Sequence, residues 1–271
     1  MKGPSDKVFS GLIPKLYESH LVPLIFQPYA DDLAARLRGR RVSRVLEIAC
    51  GTGVVTRALA GALPGGSAIV ATDLNQAMLD EAATAGAPRP VEWRQADAMS
   101  LPFPDAEFDA VVCQFGAMFF PDKAAAFAQA HRVLRPGGVF LFNVWDRVED
   151  NEFADVTTTA LAALFPGDPP RFLARTPHGY HDRAAITRDV AAGGFTAAPR
   201  IDTVTARSRA ASSSVPAIAY CQGTPLRNEI EARGPARLAD ATNVADAAIA
   251  ARFGSGAVDG KIQAHVVTIE R

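Results

Sequence analysis

Apolar positions along the chain change period near residue 44. Before it they follow a helical spacing: Phe9, Leu12, Ile13, Leu16 and Tyr17 fall at i, i+3, i+4, i+7 and i+8, one amphipathic face. Beyond Pro23, Ala30, Leu33 and Leu37 repeat the spacing up to the basic end RLRGRR, where cations suit a helix C-terminus. The pattern predicts two helices in residues 1–40. From residue 44 short apolar runs take over: RVLEIA (44–49), SAIVATD (67–73), VEWRQAD (91–97), FDAVVCQF (108–115) and VFLFNVWD (139–146) read as strands. Between them VVTRALAGAL (54–63), NQAMLDEAATAG (75–86), with Asn75 at its N-cap, and KAAAFAQAHRVLRPGG (123–138), closed by a Pro-Gly-Gly turn, read as helices. Strands that alternate with helices and are apolar throughout predict a mostly parallel sheet covered on both faces, a doubly wound α/β fold.

The remainder is less regular. Residues 148–183, with GDPP and TPHGYHD, read as a loop-and-helix excursion, and AAITRDVAAGGF (184–195) as a crossover helix. RIDTVTAR (200–207) alternates like a strand, residues 215–253 read as helical, and KIQAHVVTIE (261–270) as a closing strand. At 271 residues the chain can bury one large α/β core. The expectation is a single domain: a helical cap over 1–40, a ligand-binding core over 41–147, and an acceptor-side excursion, helical insert and closing strands over 148–271.

Charge and cysteine content narrow the partners. Lys+Arg total 28 against Asp+Glu 29, a formal charge of −1, so no global field draws in nucleic acid or an anionic membrane. Cys50, Cys113 and Cys221 are far apart and form no CxxC pair, which argues against a disulfide framework and for a reducing cytoplasm. The opening MKGPSDKVFSG lacks a signal-peptide core, and LVPLIF (21–26) is too short to span a bilayer, so no membrane insertion is expected. The histidines lack metal-ligand spacing, and no metal is expected.

The chemistry concentrates in EIACGTGVVT (47–56). A strand running into Gly51-Thr52-Gly53 lets the backbone approach a ligand, and the helix that follows offers free N–H groups. A dinucleotide turn wants G-x-G-x-x-G, but Thr56 stands at the third glycine; a phosphate P-loop needs a lysine that is absent here. Glu47, four residues before Gly51, would repel a pyrophosphate and suits an ammonium. Asp73, twenty residues past Gly53, is placed to take both hydroxyls of a ribose. Asp97, ending the third strand, can accept from an adenine amine. Ammonium, ribose and adenine together describe S-adenosylmethionine.

The set EIACGTG, ATDLNQAML, RQADAMSLPFPDAEFDAVVC and HRVLRPGG resembles the class I S-adenosylmethionine-dependent methyltransferases over residues 44–146, and within them the small-molecule branch that includes the ubiquinone and menaquinone C-methyltransferases. The resemblance implies a Rossmann-like, seven-stranded, mostly parallel sheet with an antiparallel last strand, assigned to 261–270. It implies that Glu47, Gly51, Thr52 and Gly53 meet the methionine part of the cofactor, and that Asp73 binds the ribose. Leu74 and Met78 would pack on adenine, Asp97 and Ala98 meet its edge, and Gln114 and Phe115 face cofactor and acceptor. Tyr17 and Phe9 would close over the cofactor as a lid.

Methyl transfer from a sulfonium needs chiefly proximity and orientation, and a base only where the acceptor arrives protonated. His178, Tyr180 and His181, in the excursion where acceptor contacts are expected, are the candidate bases, and Trp145 a candidate lining of the acceptor pocket. Cys50 reads as a small residue rather than a nucleophile. The expected activity is methyl transfer from S-adenosylmethionine, with S-adenosylhomocysteine as product, to a small, partly apolar metabolite at O, N or C. The expected assembly is a monomer or homodimer. A nicotinamide-dependent oxidoreductase, which Asp73 would suit equally, and a non-catalytic S-adenosylmethionine-binding protein are the alternatives.

Overall fold

A computed structural model describes residue 6, residues 8–234 and residues 236–271. Residues 1–5 and 7, part of the stretch read for a leader, lie outside the described residues. Seven strands form one sheet: β1 (Arg44–Ile48), β2 (Ala68–Asp73), β3 (Glu92–Gln95), β4 (Phe108–Gln114), β5 (Leu134–Trp145), β6 (Arg200–Ala210) and β7 (Val258–Glu270), in the order β3-β2-β1-β4-β5-β7-β6. Strands β1 to β5 pair in parallel. Against β5, β7 runs the other way: the Arg271 N–H donates to the Gly138 carbonyl (2.9 Å), and the Asp146 N–H to Gln263 (3.1 Å).

The central strands are apolar on both faces because helices cover both. Val45, Leu46 and Ile48 of β1 and Val111, Val112 and Cys113 of β4 are fully buried. The two edges read differently. β3, at one margin, keeps only four of the seven residues its pattern predicts and is mostly exposed. β6, at the other, alternates as the sequence indicates, its charges facing water.

The helices are α1 (Ile13–Leu16), α2 (Gln27–Arg36), α3 (Val54–Ala62), α4 (Gln76–Ala85), α5 (Lys123–Val133), α6 (Glu152–Leu164), α7 (Phe172–Arg175), α8 (Arg183–Ala192), α9 (Ser214–Gln222), α10 (Leu226–Glu231) and α11 (Arg237–Phe253). Three expectations are corrected here. Phe9 precedes the first helix, and Pro23 does not divide two helices: Tyr17–Phe26 is a π-helix joining α1 to α2. Proline lacks the donor of an i→i−4 ladder and clashes with it, whereas the wider i→i+5 loop has room for the ring. The helix expected over 123–138 stops at Val133, because Pro136 disfavours helical geometry at Arg135. Pro136-Gly137-Gly138 instead forms an irregularity early in β5, where the register jumps from Phe108↔Leu134 to Ala110↔Val139.

Contacts gather the chain into two compact units. One comprises residues 27–144, 180–204 and 265–271. In it α2 packs on α3 and α5 on α8, and Phe127, Phe140, Phe142 and Phe195 form an aromatic core. The other comprises residues 1–26, 145–179 and 205–264. Here α11 packs on α9 and α6, with Phe153 edge-on to Phe253 at 5.0 Å and Arg252 paired to Glu152 at 2.8 Å.

Candidate functional site

β1 delivers Glu47 to the carboxyl end of the sheet, flanked by the buried Leu46 and Ile48, and the chain then turns sharply. Ala49, Gly51 and Gly53 all have positive φ (55°, 57° and 84°). A non-glycine there is strained, and such residues concentrate where a backbone is held for a ligand. Gly53 opens α3, and a side chain on it would meet the Trp93 ring at 3.0 Å and Ala82 at 3.3 Å. Cys50 is a buried thiol that burial holds well above its ordinary pKa, so the turn carries no thiolate.

Asp73 ties this turn to the second strand. Its Oδ2 accepts the Gly51 N–H at 2.9 Å and its Oδ1 the Asn75 N–H at 2.8 Å. Burial raises its pKa, opposed by the N–H groups of Asn75 and Gly51. Asn75 occupies the N-cap of α4, but its side chain makes no cap bond. Its Nδ2 donates back toward Asp73 Oδ1 instead (3.4 Å), so Asn75 holds the expected N-cap position without a capping bond.

Glu47 is 1 % exposed, and burial raises its carboxyl pKa to about 8. The Thr56 hydroxyl, which donates to Glu47 Oε2, and the cation of Arg57 oppose that rise. The sequence reading missed Thr56 as a site residue and counted it only as the absent third glycine. One turn into α3, a β-branched hydroxyl at that place faces back onto the strand end and holds the carboxyl. Thr56→Val should lower stability by about 1–2 kcal/mol, because the buried carboxyl loses its donor, and Thr56→Ser should recover most of it in urea unfolding.

The Thr52 side chain is fully buried in the turn, and its Oγ1 has no hydrogen-bond partner among the described residues. An orphaned hydroxyl beside a buried carboxyl and two left-handed glycines fits a polar, cationic ligand of the S-adenosylmethionine kind.

The remaining cofactor candidates lie along the same edge. Met78 is buried in α4, while Leu74 is 45 % exposed just past Asp73. Asp97 lies two residues beyond the end of β3; its Oδ1 accepts the Met99 N–H at 2.9 Å, and Ala98 beside it is buried. Gln114 ends β4, and Phe115 follows at φ 48°, edge-on to Tyr29 at 5.3 Å. A Cβ on Gly116 would sit 2.6 Å from that of Ala49, so the turns after β1 and β4 touch.

Tyr17 belongs to the other unit, stacked on Phe26 at 4.8 Å and edge-on to Phe9 at 6.2 Å. Phe26 in turn lies 6.1 Å from Trp145, the last residue of β5, and Trp145 lies 5.9 Å from His178. His178 is buried, with its Nδ1 2.8 Å from the Asp146 carbonyl oxygen. Because a carbonyl only accepts, Nδ1 carries the hydrogen. Tyr180 and His181 fall in the sheet-bearing unit. The Tyr180 hydroxyl donates to Asp189 at 2.9 Å, burial raises its pKa, and Lys123 lies over its ring at 4.5 Å. His181 is half-buried.

No group of three or more His, Cys, Asp or Glu that could hold a metal occurs among the described residues. Nor is any described helix long and apolar enough to cross a membrane.

A family model described as a methyltransferase domain matches residues 46–142. A ubiquinone/menaquinone biosynthesis C-methyltransferase from Teredinibacter turnerae is 41% identical over 102 residues, 36% of this chain and 41% of that protein. A protein of the same name from Saccharophagus degradans is 30% identical over 184 residues, 63% of this chain and 73% of that protein. Among solved structures, a phosphoethanolamine-type N-methyltransferase of Haemonchus contortus, bound to phosphomonomethylethanolamine and S-adenosylhomocysteine, superposes with TM-score 0.58. It is 16% identical and covers 95% of this chain and 56% of that one, a likeness of fold.

Proposed function

Because the chain belongs to the class I S-adenosylmethionine-dependent methyltransferases, we propose that it transfers a methyl group to the O, N or C atom of a small, partly apolar metabolite. The observation that carries this reading is the buried Glu47 at the end of β1, beside a left-handed glycine turn fastened to Asp73. S-adenosylmethionine, when bound, supplies a methyl group on a sulfonium whose departure leaves a neutral thioether.

The residues have separable tasks in this reading. Glu47 receives the ammonium of the methionine part, with the turn of Gly51, Thr52 and Gly53 around it. Asp73 holds the ribose hydroxyls, Leu74 and Met78 pack on adenine, and Asp97 with Ala98 meets its edge. Gln114 and Phe115 mark the side where cofactor gives way to acceptor. Of the three candidate bases, His178 has its ring oriented by the main chain, its Nδ1–H donating to the Asp146 carbonyl oxygen, which leaves the lone pair of the neutral ring on Nε2. The Tyr180 phenol, its pKa raised by burial, donates to the Asp189 carboxylate, which suits packing better than proton abstraction. The curated relatives are named for quinone biosynthesis, so hydroxylated rings are the acceptors to try first.

Calorimetry tests the reading directly. S-adenosylhomocysteine should bind and NAD should not; tight NAD binding with no response to S-adenosylhomocysteine would overturn it in favour of a nicotinamide enzyme. Asp73→Ala should weaken S-adenosylhomocysteine binding more than tenfold, above ~1.4 kcal/mol, since it removes the ribose acceptor and loosens Gly51. Unchanged affinity would place the ribose elsewhere.

A further inference from the structure

Besides the Thr52 hydroxyl, a second buried polar group near this edge is left unmatched among the described residues. Asn143, on β5, is fully buried, yet its Nδ2 has no hydrogen-bond partner among the described residues. Its other side-chain atom is in use: Oδ1 accepts the Phe115 N–H at 2.9 Å, an N–H that the Asn143 main-chain oxygen also accepts at 3.2 Å. The amide is therefore held with its oxygen committed and its two donors lacking a protein acceptor. Buried donors are matched almost without exception, and an unmatched one in a native fold points to a ligand or ordered water.

The strand register says which ligand. Glu47 is level with Ala71 on β2 and Val112 on β4, and Val112 is level with Leu141 on β5. Side chains alternate faces along a strand, so residues two further on share the same face. Asp73, Gln114 and Asn143 therefore form the next row, on the face of Glu47 and closer to the carboxyl edge, where open α/β sheets bind ligands. Across the strand order β3-β2-β1-β4-β5, the proposed adenine, ribose and methionine positions follow β3, β2 and β1. Asn143, on β5, lies beyond the methionine end. The cofactor is used up before this row reaches it.

We infer that Asn143 is an acceptor-binding residue whose Nδ2 donates to an oxygen of the methyl acceptor, a hydroxyl, phenolate or carbonyl at or beside the methylated atom. The inference rests on the proposed methyl transfer. The amide orients the acceptor and favours the form with negative charge on that oxygen, and its own oxygen holds the strained Phe115 in place.

The test compares wild type with Asn143→Asp, which keeps an oxygen for the Phe115 N–H and, assayed at a pH where it is ionised, offers no donor. Asn143→Ala serves as the second variant should the buried carboxylate impair folding, because Phe115 N–H keeps the main-chain oxygen. The probes are S-adenosylhomocysteine in calorimetry and methyl-labelled S-adenosylmethionine with a small-molecule cell extract. The expected result is S-adenosylhomocysteine affinity within about threefold of wild type in both variants. Labelled product should fall at least tenfold at low extract concentration and recover as extract is raised. Labelling that matches wild type across the extract series would overturn the inference. So would a loss of S-adenosylhomocysteine binding beyond tenfold, which would give the amide to the cofactor. A wild type that binds S-adenosylhomocysteine but labels nothing would sink the proposed activity and this inference together, a pattern distinct from either variant result.

Discussion

Gly53→Val should lower affinity for S-adenosylhomocysteine at least a hundredfold, the largest effect expected of any single change in the turn. Two penalties coincide. The residue sits at φ 84°, where a β-branched side chain is strained by about 1–3 kcal/mol. Its Cβ would also stand 3.0 Å from the Trp93 ring and 3.3 Å from Ala82, neither of which is the end of a flexible chain. The turn can relieve both only by moving away from α4 and β3, which shifts Gly51 and Thr52 from the place Asp73 holds them. Gly53→Ala should fall between valine and wild type. Calorimetry gives the affinities, and an unchanged melting temperature in Gly53→Ala would separate a displaced turn from a lost fold. Valine with wild-type affinity would mean that the turn does not carry the cofactor.

Glu47→Gln should weaken S-adenosylhomocysteine binding by about 2 kcal/mol, some thirtyfold, because an ammonium loses a buried charged acceptor. It should also abolish a proton release. With no ammonium beside it, burial raises the carboxyl from 4.5 to about 8, so near neutrality it is largely protonated. An ammonium placed beside it favours the ionised form, and binding at pH 7 should expel up to one proton, seen as a binding enthalpy that varies with the buffer's ionisation enthalpy. The same shift sets the sign of a stability effect. Between about pH 4.5 and 8 the folded protein keeps a proton that the unfolded chain has lost, so stability falls as pH rises through that window. Glutamine removes this dependence, and the ligand-free variant should exceed wild type in urea at pH 8.5 by on the order of 3 kcal/mol. Equal proton release from Glu47→Gln would assign the ammonium to another acid.

What the sequence made legible follows from what local pattern can encode. Apolar runs such as VLEI and AVVC announced covered strands, because a sheet with no wet face has no alternation to show. Glu47 and Asp73 stood out because charges are rare among such neighbours. Thr56 did not, since its use depends on α3 returning its first turn over a residue nine positions earlier. Asn143, one amide within LFNVW, carries no signal until the register sets it level with Gln114. Pro23 misled because proline normally ends a helix, and the π register that admits it leaves no mark in the spacing. The form of His178 was equally hidden: the Asp146 carbonyl that fixes its hydrogen is thirty-two residues away in sequence.

The strand order also governs how the sheet can be assembled. β7 lies between β5 and β6 although it follows both in the chain. During synthesis on a ribosome, β6 therefore leaves the exit tunnel some fifty residues before the strand it pairs with, and β5 waits with an open flank for the same partner. Two unpaired edges on a nascent chain invite pairing with neighbouring chains. The charges that β6 carries, Arg200, Asp202, Arg207 and Arg209, work as gatekeepers during that interval, and they keep the finished margin from recruiting a further strand.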